Sequence, residues 1–262
     1  MSLASIERKR KILDILEKNG KVKVKDLAVH LKVSTETIRK YLDDLEYESK
    51  LKKVYGGAIS LTFFNQEPPT VEREIINKEG KEKIGALAVS LIKDDDVIAI
   101  DEGTTPLYMA KSLKNKKNIT IVTPSINSLN VLMEMLQQNV FTGKIILIGG
   151  QVDVFHQRLV GEHTLEMMNN IYVDKNFIAA DGLSVKDGLT SYDLSKGMVT
   201  KKLIEHANET ILLIDHTKLN KRTHYKMARL TDIDIVICDQ TAPPEWEETL
   251  TEANVQWFTI DD

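Results

Sequence analysis

Cysteine is almost absent: Cys238 is the only one among 262 residues. A single thiol excludes an internal disulfide and any cysteine-based metal cluster. Its setting, Ile235-Val236-Ile237-Cys238, reads as a buried strand, where a thiol behaves as a small hydrophobe rather than a nucleophile. Long apolar runs are missing as well. No stretch approaches the roughly 18 to 20 apolar residues of a membrane span, and Met1-Ser2-Leu3-Ala4 leads straight into charge without a signal peptide's apolar core. The expectation is a cytoplasmic protein with no membrane partner. His156, His163, His206 and His224 are scattered and form no metal-ligand spacing with a matching carboxylate, so neither a metal nor a cofactor is expected. Internal repeats and low-complexity tracts are lacking too.

What is present is a hydrophobic content of 42%, normal for a folded protein, on a chain long enough for one large or two ordinary domains. The net charge of -4 conceals an asymmetry. Residues 1–58 hold 14 Lys and Arg against 9 Asp and Glu, a net of +5, which leaves 21 against 30, a net of -9, for residues 59–262. A basic segment on an acidic body suggests that one part meets a polyanion and the other does not. The two regions separate where periodicity stops, at Leu61-Thr62-Phe63-Phe64-Asn65-Gln66-Glu67-Pro68-Pro69. The expected organisation is a DNA-binding domain over 1–60, a linker over 61–69, and an effector-binding and oligomerisation domain over 70–262.

Three short amphipathic helices are expected before the linker. Ile12, Leu13 and Leu16 mark the first, ending near Asn19-Gly20; Val24, Leu27, Ala28 and Leu31 mark the second; Ile38, Tyr41, Leu42 and Leu45 mark the third. None would stand alone, so they must pack on each other. Only Lys32-Val33 separates the second from Ser34, a favoured N-cap, with Thr37 where a full capping box would carry Glu or Gln. A tight turn followed by a capped helix is the geometry of a helix-turn-helix. The inward stripe of the third helix leaves Glu36, Arg39 and Lys40 outside, with Ser34 at its start and Thr35 and Thr37 in the first turn, residue types suited to base edges and phosphates of a major groove, so Ser34 counts with them as a DNA-binding candidate. Lys50-Leu51-Lys52-Lys53-Val54-Tyr55-Gly56-Gly57 then reads as a basic β-wing with a Gly-Gly turn, bringing Lys50, Lys52, Lys53 and Tyr55 to the phosphate backbone. The bland alternative is a small helical bundle with a solvated basic face.

Beyond the linker, a helix marked by Ile84, Leu87, Ala88 and Leu91 precedes seven strand candidates. These are Val97–Ile100, Ile119–Val122, Lys144–Ile148, Asn176–Ala180, Thr210–Ile214, Ile235–Cys238 and Gln256–Ile260. Continuous apolar runs alternating with helical stretches such as 128–136 and 198–206 indicate an α/β domain whose mainly parallel sheet is covered on both faces. In such sheets ligands gather at the carboxyl ends of strands. Those ends carry Asp101-Glu102-Gly103-Thr104-Thr105, Thr123-Pro124-Ser125, Gly149-Gly150, Asp181-Gly182 and Asp215-His216-Thr217-Lys218. Gly103 lets a ligand approach the backbone, Thr104 and Thr105 offer hydroxyls, and the next helix aims its amides at the same place, which suits a phosphate. Asp101 and Glu102 would repel it, so sugar hydroxyls or a backbone amide are their better partners. The candidate effector residues are Asp101, Gly103, Thr104, Thr105, Thr123, Ser125, Gly149, Gly150, Asp181 and Lys218. Whether Lys201 or Lys202 of the 198–206 helix also faces the site stays open.

Both halves resemble one family. Val33 to Ala58 is similar to the winged helix-turn-helix of the DeoR family of bacterial transcriptional regulators, agreeing at Val33, Ser34, Thr37, Ile38, Arg39, Leu42, Val54, Gly56, Gly57 and Ala58. Lys40 and Tyr41 replace its usual Arg-Asp pair, Lys53 its wing Arg and Tyr55 its wing His; Lys for Arg loses bidentate reach. The strand-end stretches resemble the family's effector domain in the same order, with Glu102 for Ser, Pro124 for Asn, and Asp153 near the usual place of an Arg. An added acid and a lost base both weaken phosphate binding. The resemblance implies a C-terminal domain similar to ribose-5-phosphate isomerase and glucosamine-6-phosphate deaminase. It also implies a repressor of a carbohydrate or related catabolic operon that binds double-stranded operator DNA as a homo-oligomer, dimer or tetramer, and senses a sugar phosphate. The enzyme alternative is an isomerase or deaminase drawing its acid and base from Asp181, Asp187, Asp215, His216 and Lys218; an attached DNA-binding module argues for sensing without turnover.

Overall fold

A computed structural model of the chain describes residues 3–48, 50–60 and 70–260. The span expected as linker, 61–69, lies outside the described residues. The chain divides into two compact units, Met1–Pro68 and Pro69–Asp262.

The first unit contains α1 (Leu3–Asn19), β1 (Lys21–Lys23), α2 (Val24–Leu31), α3 (Thr35–Tyr47), β2 (Leu51–Val54) and β3 (Gly57–Ser60). The expected stripes form its core: Ile12, Leu16, Val24, Leu27, Ile38, Tyr41, Leu42 and Leu45 are buried, and Leu13, Ala28 and Leu31 pack partly against them. Gly20, at φ +71, stops α1 in a left-handed conformation. The Ser34 hydroxyl accepts the Thr37 amide at 3.1 Å and lies 2.8 Å from the Thr37 hydroxyl, so Thr37 serves the cap without the reciprocal bond a Glu would make. The wing is a hairpin, but β1 converts it into a three-stranded antiparallel sheet of order β1-β3-β2. That pairing explains Gly57, where a Cβ would stand 2.0 Å from the Val22 carbonyl oxygen. β1 went unread because three residues carry too little periodicity to register.

The second unit is built on a seven-stranded sheet in which every neighbouring pair is parallel. Its chain order begins with α4 (Thr70–Ile75), α5 (Lys78–Ser90), β4 (Val97–Ile100), α6 (Thr104–Ser112), β5 (Ile119–Thr123), α7 (Ile126–Gln137) and β6 (Gly143–Leu147). A hairpin of β7 (Gln151–Asp153) and β8 (Arg158–Val160) follows, then α8 (Glu162–Met168) and β9 (Val173–Ile178). The remainder is β10 (Gly182–Ser184), β11 (Gly188–Ser191), α9 (Leu194–Glu205), β12 (Ala207–Ile214), β13 (Tyr225–Ala228), β14 (Ile235–Cys238), α10 (Glu247–Glu252) and β15 (Gln256–Thr259). All seven expected strands belong to the large sheet, in the order β15-β14-β12-β9-β4-β5-β6.

Alternate residues of each strand feed opposite cores, as a period of two requires. Ile98, Ile100, Ile211 and Leu213 pack on one face with Ile84 and Met109, whereas Ala99 joins Val199 and Leu203, and Leu212 and Ile214 join Met227, on the other. The chain runs outward from β4 through β5 and β6, then returns to place β9 on the opposite side of β4. The strand order therefore reverses between β4 and β9, where the loops leaving two adjacent parallel strands part and open a crevice.

Candidate functional site

In the first unit, the capped start of α3 leaves Ser34, Thr35, Glu36, Arg39 and Lys40 exposed while Thr37 is half-buried. Tyr55 stands fully exposed at the tip of the β2–β3 turn beside Gly56, whose φ is +80. The wing lysines behave differently from Arg39 and Lys40. Lys50 contacts Glu48 at 2.6 Å, Lys52 contacts Glu46 at 3.6 Å, and Lys53 is paired with Asp43. The Lys53 amide also donates to Glu46 at 2.9 Å, which ties the wing to the last turns of α3. The hydrogen bond from Lys50 holds the Glu48 carboxyl below its ordinary value. Lys50 and Lys52 are exposed and Lys53 half-buried, and all three are already held by acids, so a phosphate must exchange with a carboxylate to engage them.

In the second unit, the crevice is walled by charge. Gly103, at φ +129, ends the β4 loop, and the first turn of α6 presents Thr104 and Thr105. A Cβ at position 103 would stand 3.2 Å from the Ala179 Cβ on the neighbouring loop, in a backbone conformation that a side chain strains. Around this helix start stand four cations: Arg73 from α4, Lys81 from α5, Lys196 from α9, and Lys218 from the short turn after β12; Asp181 and Asp215 are the carboxylates on the same wall. Burial lowers the Lys81 ammonium to about 8, partly offset by Asp215, and lowers Lys218 as well. Lysines depressed by desolvation mark a cleft that favours an arriving anion. About 30 Å³ is free there, room for one or two waters, so a ligand larger than that must widen the cleft as it enters.

Beneath the wall lies an ionic network. Lys196 Nζ is 3.0 Å from Asp181 Oδ2 and 3.1 Å from Glu102 Oε1, and Arg158 Nη1 is 3.0 Å from the same Glu102 oxygen. Arg158 also donates through Nε to Asp153 at 3.0 Å and stands 3.5 Å from Asp193. The second Glu102 oxygen, Oε2, accepts no hydrogen bond and has Arg73 Nη2 at 3.9 Å. Burial alone would raise the Glu102 carboxyl, yet Lys196, Arg158 and Arg73 outweigh it and hold the group well below the carboxylate range. Asp181 is lowered in the same way, with Lys196 overcoming its burial. Asp101 lies deeper still, accepting the Thr200 hydroxyl at 2.8 Å and the Glu102 amide at 2.8 Å. Burial and the nearby Glu102 push it up to about 7.

Of the ten candidate effector residues, Gly103, Thr104, Thr105, Asp181 and Lys218 line the cleft. The others lie outside that lining. The Thr123 hydroxyl donates to the Ile100 carbonyl at 2.7 Å, and Ser125 caps α7 by accepting the Ser128 amide at 3.1 Å. Gly150, at φ +147, is demanded by close packing, since a Cβ would lie 1.9 Å from the Thr164 hydroxyl, and the Gly149 amide donates to Met167 Sδ at 3.2 Å. The lysine of α9 that faces the site is Lys196; Lys201 and Lys202 stay on its outer side, pairing with Glu205. Glu102 meets cations rather than a sugar hydroxyl. The base expected to be lost at Asp153 is offset five residues on by Arg158.

Arg73, Lys81, Arg158 and Lys196 went unread in the sequence, although two of them carried a signal. Lys81 precedes the buried Ile84, Gly85 and Ala88 by three, four and seven residues, and Lys196 precedes Val199, Thr200 and Leu203 by the same intervals. A lysine in register with a helix's buried stripe must meet an anion or an anionic ligand inside. Arg73 and Arg158 sit on elements too short to show a stripe. Cys238 is buried in its strand, and burial pushes its thiol up to about 12, the inert state expected of it. Among the described residues no group of three or more His, Cys, Asp or Glu could hold a metal, and no helix is long and apolar enough to cross a membrane.

Comparison with known proteins matches both units to one family. Residues 8–63 match the DeoR-like helix-turn-helix domain and residues 76–240 the DeoR C terminal sensor domain. The chain is 35% identical to the HTH-type transcriptional repressor GlcR of Bacillus subtilis over 89% of this chain and 88% of that one. It is 28% identical to the Glycerol-3-phosphate regulon repressor of Escherichia coli over 95% of this chain and 97% of that one. Among solved structures, ribose 5-phosphate isomerase A of Methanocaldococcus jannaschii aligns with 56% of each chain at 20% identity and a TM-score of 0.40. The two repressors are regulators rather than enzymes, and an isomerase or deaminase reading finds no better support. The chain belongs to the DeoR family of transcriptional regulators.

Proposed function

We propose that this regulator is a cytoplasmic repressor of a carbohydrate or related catabolic operon, released by a phosphorylated sugar or similar metabolite held in the cleft between β4 and β9. The observation that carries the ligand class is the cleft's imbalance: Arg73, Lys81, Lys196 and Lys218 against Asp181 and Asp215, gathered at the start of α6. A phosphate at Thr104 and Thr105 would receive helix amides, hydroxyls and nearby cations together, while Asp181 and Asp215 accept from sugar hydroxyls. Names of relatives such as the Glycerol-3-phosphate regulon repressor support the same class.

On the DNA side, Thr35, Glu36, Thr37, Arg39 and Lys40 read the major groove from α3, and Lys50, Lys52, Lys53 and Tyr55 track the backbone of a double-stranded operator. One small winged unit reads too few base pairs to be selective, which supports a homo-oligomer, dimer or tetramer, on paired half-sites. Release requires the effector to prefer the conformation in which those heads no longer match the spacing.

The test is a thermal-shift series on the full chain with sugar phosphates and their parent sugars, followed by titration of the active compound into a complex with DNA selected from a random pool. A stabilising phosphate that releases DNA, with its parent sugar inert, supports the reading. Stabilisation by parent sugars alone would sink the phosphate assignment.

A further inference from the structure

The cleft's charges admit a finer count. Four lining cations face two lining carboxylates, an excess of two positive charges. Extending the count to the layer behind brings in Arg158, but also Glu102 and Asp153, so the excess falls rather than grows. A phosphate monoester carries about -1.5 to -2 charges near neutral pH, which matches the whole of the lining excess of two. A second phosphate would have no cation left to meet.

Glu102 is the group that holds the excess down. Its side chain is 4% exposed, one oxygen lies against Arg158 and Lys196, and the other is turned toward Arg73, itself on the cleft wall. Lys196 is already shared between Glu102 and Asp181, so little of its charge is spare for a ligand. A second anionic group would meet carboxylates in a space with little water, where an unmatched charge is costly.

We propose that Glu102 is a resident counter-anion that selects the effector by charge: with its carboxylate in place the cleft accepts one phosphate monoester and rejects a bisphosphate. This rests on the phosphate reading above and adds to it a specificity-determining residue whose side chain lies beneath the ligand.

The experiment is calorimetric titration of the full chain at pH 7 with inorganic phosphate, pyrophosphate, a fructose monophosphate and a fructose bisphosphate. It compares the unsubstituted protein with Glu102→Gln, Glu102→Asp and Asp153→Asn. The unsubstituted protein is expected to bind the monophosphate more tightly than the bisphosphate by about tenfold or more, and Glu102→Gln to move that ratio toward the bisphosphate by on the order of tenfold. Glu102→Asp keeps the charge and should keep the preference. If Glu102→Gln does not fold, Asp153→Asn, at a less buried position, removes one negative charge behind Arg158 and should move the ratio the same way by a smaller factor. A folded variant that binds phosphate with an unchanged ratio overturns the role of Glu102 and leaves the phosphate reading intact, as does unsubstituted protein that takes the bisphosphate equally well. No binding of any phosphate compound in any form overturns the phosphate reading and this proposal with it.

Discussion

Both units pair lysines with carboxylates, but they do so in opposite surroundings. In the first, Lys50, Lys52 and Lys53 meet Glu48, Glu46 and Asp43 at the surface, with half or a third of each lysine side chain in water. In the second, Lys196 and Arg158 are 1% exposed and Glu102 and Asp181 scarcely more. Water makes the first set exchangeable, because each partner recovers its solvation when the pair parts. Burial makes the second set obligatory, because removing one member strands the other in a low-dielectric interior. On the proposed reading, a surface that trades carboxylates for DNA phosphates uses the first kind, and a cleft that keeps its cations aimed at a small anion uses the second.

The largest effect should come from breaking the buried set. Lys196→Met leaves Glu102 and Asp181 facing each other without their shared cation and should destabilise the fold by about 3–5 kcal/mol, read by denaturant unfolding. A loss below about 1 kcal/mol would mean the network is wetter than its burial indicates. At the exposed surface, Arg39→Ala should weaken binding to a selected DNA site by about 1–3 kcal/mol and leave stability within about 0.5 kcal/mol. Equal binding by both proteins would remove Arg39 from the reading face.

Next in size is a pH effect that belongs to the cleft alone. The Lys81 ammonium sits near 8, and a bound phosphate would favour its charged form, so binding takes up a proton above that value. Phosphate affinity should therefore hold through pH 7 to 8 and fall as pH rises beyond 8, by up to about tenfold per pH unit. Lys81→Met should flatten the profile; a profile that falls just as steeply without Lys81 would assign the titration elsewhere. The smallest effect is expected from Asp43→Asn, which frees Lys53 at the wing. DNA affinity should rise by less than about 1 kcal/mol, with the salt dependence steepened by about one ion. Weaker DNA binding would show that the Asp43 pair positions the wing rather than restraining it.

Legibility followed the range of the interaction. The stripes of α2 and α3 and the seven strands of the large sheet were readable because their apolar residues recur at intervals set by local backbone geometry. Short strands without a stripe, β1, the β7–β8 hairpin and the β10-β11-β13 sheet, were not. Within the cleft, Gly103, Thr104 and Thr105 could be placed because they follow a strand directly and start a helix. Thr123, Ser125 and Gly150 share that setting, yet their polar atoms or their missing Cβ serve a backbone carbonyl, a helix cap and a neighbouring threonine. A hydroxyl at a strand end looks the same in sequence whether it faces a ligand or its own chain.

By itself the sequence determined the two-part organisation, the helix-turn-helix, the parallel sheet and the family, since each rests on local spacing or on motifs in order along the chain. Only the tertiary structure decided which charges meet: that Glu102 lies between Arg158 and Lys196, that Arg73 and Lys81 turn toward the same cleft, and that the wing lysines are held by the acids of α3. The reason is physical. A charge's role depends on its partners and on how much water it keeps, and both are set by where distant segments of the chain come together.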